Sequence, residues 1–334
     1  MTEQDRRAVA TWLLVCAALV FCIVVVGGIT RLTESGLSIV EWAPIVGTLP
    51  PLSQADWETL FAKYQTSPQY QKVFSEIGLE GFKEIFWWEY IHRVIARVIG
   101  LVFLIPFLWF LLRRRLSKDL AWKLFGLFLL GGMQGAMGWY MVKSGLVDDP
   151  RVSHFRLTAH LGLALLIFCL ELWLALGLLR QRDAPLQPAR AFPLAILGLV
   201  FLMALSGGFV AGLRAGHAYN TFPLMNGHLV PPELLMLEPW WKNFLWNVAA
   251  VQFTHRTFFW LLLLLVPLCW WTLRATEAKL AANHLLGMFL LQGTLGISTL
   301  LLSVPIPLGA AHQGGAVLLL ACAVWTAQAS RRPA

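Results

Sequence analysis

The sequence predicts an all-α membrane protein: eight transmembrane helices forming two four-helix bundles related by a pseudo-twofold axis, with both termini cytoplasmic. Three observations predict it. Of 334 residues, 58% are hydrophobic and only 13% are charged, whereas a soluble domain carries about 25% charge. Runs of about 20 apolar residues recur, each long enough as a helix to cross hydrocarbon. Motifs of the first part of the chain return, in the same order, in the second.

The apolar runs fall at 9–29, 86–111, 121–142, 155–179, 192–213, 247–271, 280–303 and 308–329. Cations mark alternate connections. Arg6 and Arg7 precede the first run, and Arg113, Arg114, Arg115 and Lys118 follow the second. Arg180, Arg182 and Arg190 follow the fourth, Arg274 and Lys279 the sixth, Arg331 and Arg332 the eighth. The positive-inside rule places all of these in the cytoplasm. The net charge of +8 is thereby a topology signal, and no nucleic-acid partner is expected. Segments 30–85 and 214–246 fall outside. The first run is read as a retained span, not a signal peptide, because the fifth run is its counterpart. Cys16, Cys22, Cys169, Cys269 and Cys322 all lie within spans and are read as packing residues.

Gly27-Gly28 with Arg31 is repeated as Gly207-Gly208 with Arg214, Glu89–Arg93 as Gln252–Arg256, and Gln134-Gly135-Ala-Met-Gly138 as Gln292-Gly293-Thr-Leu-Gly296. Each half holds four spans, so both halves keep one orientation. The expected organisation is 1–180, a cytoplasmic linker at 181–191, and 192–334.

Each half carries two histidines near the same membrane face: His92 and His160, then His255 and His312. At 1.5 Å per residue all four sit within roughly 6–12 Å of the outer edge. A histidine in lipid is costly without a partner. Zinc takes three or four protein ligands, and each half offers two. Two imidazoles on facing helices are instead the usual axial set of a heme. Gly131, Gly135 and Gly138 are expected to let helices approach closely. Arg93, Arg256 and Arg97 need anions, and heme propionates are candidates. For Arg93 the alternative is an i,i+4 pair with Glu89. Glu89 shares a helix face with His92, while Gln252 in its place cannot take up a proton. Chemistry is therefore expected at the first site, with Glu89 as general base, and electron transfer or support at the second. Trp42, Trp57, Trp87, Trp88, Trp240, Trp241 and Trp246 read as an interfacial belt, with Trp88 also a candidate pocket residue. His154, His217, His228 and His284 read as interfacial or surface residues.

Taken together, Gly-Leu-Ser-Ile-Val-Glu-Trp-Ala-Pro (36–44), Glu-Tyr-Ile-His-Arg (89–93), Ala-Gly-Leu-Arg-Ala-Gly (211–216) and Tyr-Asn-Thr-Phe-Pro-Leu-Met-Asn-Gly (219–227) resemble the heme A synthase family. Thr-Ala-His160 and Ala-Ala-His312-Gln fit the same pattern, and the likeness runs from about Gly27 to about Gln328. The resemblance implies an oxidoreductase that converts the C8 methyl of heme O to the formyl group of heme A. By carry-over, Glu89 matches the glutamate thought to be catalytic. His92 and His160 match the ligands of substrate heme, and His255 and His312 those of a heme b cofactor. It also implies an electron acceptor and lipid as partners, with heme O synthase, cytochrome oxidase assembly factors and a second copy of the chain as further candidates. Some relatives carry an outer-loop cysteine pair; this chain has none there, so a mechanism using those thiols lacks its residues. The short segment before the first span is the expectation for a bacterial cytoplasmic membrane. Two other readings compete: a diheme b-type cytochrome for electron transfer, and a heme transporter.

Overall fold

A computed structural model describes residues 1–41, 46–146, 150, 152–180 and 190–331. Trp42, Arg182, Arg332 and nearly all of the 181–191 linker lie outside the described residues. The chain forms α1 (Glu3–Leu32), α2 (Gln54–Gln65), α3 (Pro68–Lys72), α4 (Leu79–Leu112), α5 (Lys118–Gly145) and α6 (His154–Leu179). It continues through α7 (Ala191–Gly212), α8 (Asn243–Trp246), α9 (Val248–Leu273), α10 (Lys279–Leu301) and α11 (Ile306–Ala329). Eight of these, α1, α4–α7 and α9–α11, are long and apolar enough to cross a membrane. No strand forms among the described residues.

Most helix ends agree with the apolar runs to within a few residues. α4 does not: it starts at Leu79, well before the run at 86. The reason is packing beyond the lipid. Phe82, Ile85 and Phe86 bury against Tyr64 of α2, with Trp57, Leu60 and Phe61 around them. Trp57 stands 4.9 Å from Phe86, ring centre to ring centre. It thus belongs to an aromatic cluster with Phe82 and Phe86 at the start of α4. Ser53 and Asp56 cap α2 reciprocally; the Ser53 hydroxyl and main-chain donors hold the Asp56 carboxyl below its ordinary range.

The neighbours of equivalent helices match. α1 packs on α4, α6 and α11, and α7 packs on α9, α11 and α6. Both α1 and α7 end on a residue with left-handed backbone, Glu34 (φ 56) and Arg214 (φ 54). With Gly27-Gly28 set on Gly207-Gly208, Arg214 falls on Glu34, which corrects the expected match of Arg31 with Arg214; Glu34 and Arg214 pair with each other at 2.5 Å. Arg31 Nη2 donates to Ala211 O at 2.9 Å beside them. The two halves are thus clasped at the end where α2 and α3 lie, here called the loop end. At the opposite end, Arg115 pairs with Asp5 at 3.4 Å, and the Arg180 guanidinium caps α11 through the Ala329 and Arg331 carbonyls. The apolar core between, including Leu13, Leu124, Ile196, Leu262, Val266, Leu285 and Leu320, is almost fully inaccessible.

The halves are not packed alike. Gly131 and Gly135 of α5 meet nothing within 4 Å, contrary to the expectation of close helix approach there, and only Gly138 abuts a neighbour. In the second half Gly293 lies against Phe259, whose ring stacks on Phe289 at 5.9 Å. α4 and α5 therefore touch sparsely, while α9 and α10 are in firm contact.

Candidate functional site

All four span histidines lie toward the loop end, and all are half-buried. His160, His255 and His312 stand about two turns into α6, α9 and α11. His92 and His160 are within electrostatic reach of each other, and so are His255 and His312. Each ring is seated against a glycine. A Cβ on Gly27 would lie 3.1 Å from His92 Nε2, and one on Gly207 3.4 Å from His255 Cε1. On Gly138 it would lie 3.1 Å from His160 Cε1, and on Gly296 2.7 Å from His312 Cε1. The four glycines are two pairs of repeat mates: a Cβ would displace the ring at Gly296, crowd it at Gly27 and Gly138, and merely touch it at Gly207.

A glutamine from the neighbouring helix braces the later histidine of each pair. Gln292 Nε2 donates to His312 O at 2.8 Å and lies 3.0 Å from His312 Nδ1. Gln134 Nε2 donates to His160 O at 3.0 Å, but its ring contact is to His160 Nε2, at 3.4 Å. His255 Nδ1 is 2.8 Å from Ser206 Oγ. No hydrogen bond reaches the His92 ring among the described residues.

Above each pair an i,i+4 couple fastens the outer loop to its helix. Glu89, 3% exposed, accepts at Oε2 from Ser38 Oγ (2.7 Å) and Ile39 N (2.9 Å). At Oε1 it accepts from Arg93 Nε (3.1 Å) and Nη2 (2.6 Å). Arg93 donates further to Ile39 O and Glu41 O. Arg93 holds Glu89, the i,i+4 partner open to it from sequence. Tyr64 of α2 completes the roof; burial, and next the nearby Glu89 carboxylate, push its phenol up. In the second half Gln252 Nε2 donates to Ala215 O (2.8 Å), and its Oε1 accepts from Arg256 Nη2 (3.1 Å). Arg256 also donates to Tyr219 O, Leu224 O and Pro223 O. A buried ion pair broken on one side costs about 3–5 kcal/mol, whereas a neutral amide bonded to guanidinium is worth about 1.5–3 kcal/mol. The mechanical job is shared, and only the first half does it with an ionisable acid.

The remaining sequence candidates separate. Trp88 is half-buried, and its carbonyl accepts from Thr30 Oγ1 of α1. Arg97 lies one turn beyond Arg93 on α4. His154 packs against Phe155, Phe209 and Trp246. His217 and His228 are exposed, and His284 Nδ1 is 2.8 Å from Leu280 O. Ser206, Gln134 and Gln292 carry no site signal as single residues. Laying Gly27-Gly28 on Gly207-Gly208 would have exposed Ser206, because it faces Val26 in that alignment.

The donor set fits heme. Each site provides two imidazoles with a glycine beside each ring, and at His255 the Ser206 hydroxyl takes Nδ1, leaving Nε2 for a metal. Among the described residues no three His, Cys, Asp or Glu side chains converge as zinc would need.

Fold and site together define a multi-pass helical membrane protein with two repeat-related imidazole pairs near one face. The profile of the COX15-CtaA family, described as cytochrome oxidase assembly protein, matches residues 10–324. The protein belongs to that family. It is 57% identical to a protein of Nitrosospira multiformis named heme A synthase, covering 98% of this chain and 94% of that one. Proteins of the same name from Nitrosomonas eutropha (52% identical; 96% and 93% covered) and Parvibaculum lavamentivorans (50%; 97% and 94%) are also similar.

Proposed function

We propose that the protein is a heme A synthase of a bacterial cytoplasmic membrane, oxidising the C8 methyl of heme O to a formyl group by successive hydroxylations. Family membership and near full-length likeness to proteins named heme A synthase support this reading. The observation that carries its mechanism is the exchange of Glu89 for Gln252 in otherwise matching loop clamps. In this reading residues 1–180 hold the substrate heme through His92 and His160, and 192–334 hold a heme b through His255 and His312. The halves share a pseudo-twofold axis, and the loop end faces out of the cell. When bound, heme b supplies one-electron chemistry.

The chain's own residues do the following. Ser38 Oγ, Ile39 N and Arg93 fix the Glu89 carboxylate in one place. From there, one turn from His92, Glu89 takes a proton from an attacking water or offsets positive charge developing near the methyl carbon. Arg93 and Arg256 keep the outer loops closed over the sites. Arg97 and Trp88 border the substrate pocket on the α4 side. An electron acceptor takes the electrons. The test is extraction and chromatography of hemes from purified protein. Heme b together with heme O or heme A supports the reading; heme b alone, at two per chain, would replace it with a diheme cytochrome.

A further inference from the structure

Hydrogen bonding to the ring nitrogens differs between the two histidine pairs. Ser206 Oγ donates its single proton to Met203 O at 2.7 Å. Toward His255 Nδ1, 2.8 Å away, it can then only accept. With the hydroxyl proton on Met203 O, Nδ1 carries the ring proton and the Nε2 lone pair is left for a metal. At His312 the neighbour of Nδ1 is Gln292 Nε2, an amide donor 3.0 Å away, so that ring is braced but not set to the same tautomer. In the first half neither ring is held so. His160 turns Nε2, not Nδ1, toward Gln134, and its Nδ1 is buried without a partner. His92 presents Nε2 to Gly27, and the repeat mate of Ser206 is Val26, which has no hydroxyl.

We infer that Ser206 is a positioning residue that commits the C-terminal site to a permanently held heme, and that Val26 leaves His92 untethered so that the N-terminal heme can be exchanged. The inference rests on the ligand assignment proposed above. A hydrogen-bonded Nδ1 fixes ring azimuth and strengthens metal binding, and losing such a partner weakens affinity by about 10-fold to 100-fold. A ring without that bond reorients at little cost. A substrate heme must enter and a product heme must leave; a cofactor heme must stay. The sparse contact of α4 with α5, against the firm contact of α9 with α10, runs in the same direction.

The test uses full-length protein in detergent. Heme loss to excess apomyoglobin gives release rates, and electron paramagnetic resonance of the oxidised hemes reports ring orientation. Ser206→Val should release the C-terminal heme about 10-fold faster or more and shift its g-values, and Ser206→Thr should restore both. Val26→Ser should slow release from the N-terminal site. His255→Ala and His312→Ala serve as references. If these keep the C-terminal heme signal, the ligand assignment falls. If they lose it while Ser206→Val releases heme at the parental rate with parental g-values, only the role of Ser206 falls. Should Ser206→Val not accumulate, Ser206→Ala and Val26→Ser decide: parental release in both overturns the inference.

Discussion

The two halves of the molecule are built on one plan and finished differently. In both, an i,i+4 couple on the helix of the first histidine pins an outer loop, and a glycine backs every ring. The N-terminal half fills the clamp with Glu89, packs α5 loosely and leaves its rings without an Nδ1 partner. The C-terminal half uses Gln252, packs α10 tightly and bonds both rings. The difference teaches that two sites can keep the same histidine pair while the groups around the rings differ.

The largest expected effect breaks the comparison at its centre. Glu89→Gln makes the N-terminal clamp chemically like the C-terminal one. Heme A formation should fall by about 10²–10⁴-fold, the usual range for a lost general base, while the C-terminal heme is retained. Chromatography of heme A formed per unit protein reads it, and undiminished product would assign Glu89 to loop closure alone. Next comes Gly296→Val. Even a Cβ there would stand 2.7 Å from the His312 ring, so the ring must move and C-terminal heme content should drop severalfold, read by pyridine hemochrome absorbance. Gln252→Leu removes the donor to Ala215 O and the acceptor for Arg256. It should cost about 1–3 kcal/mol, seen as a lower Tm, with product identity unchanged. The smallest effect is Gly131→Ala, which meets open space and should stabilise α5 by roughly 0.5–1 kcal/mol. A large loss there would show that the apparent looseness of α5 is occupied by something the protein needs.

Much of this comparison is legible in the chain. The eight apolar helices follow from composition and run length, and Glu89 against Gln252 follows from setting the repeats side by side. What the chain does not show has local causes. Type and position are all a sequence shows of Trp57; its packing with Phe82 and Phe86 depends on α4 starting at Leu79, before the apolar run. Gly131 and Gly135 resemble a close-packing stripe, yet a glycine only permits approach and no helix comes near. Ser206 carries no signal alone, because a lone serine in an apolar helix fits no periodic pattern; it stands out only opposite Val26 in the aligned repeats, and its contact with His255 Nδ1 at 2.8 Å needs the structure.

The clasp between Glu34 and Arg214 has a consequence for assembly. The two residues hold equivalent posts, so each half meets its own mirror post across the seam. Were two copies of the N-terminal half to associate, carboxylate would confront carboxylate there; two C-terminal halves would set guanidinium against guanidinium. Only the mixed pairing brings opposite charges together, and at a site this exposed it is worth up to about 1 kcal/mol: the chemistry favours one chain carrying both halves over self-association of either.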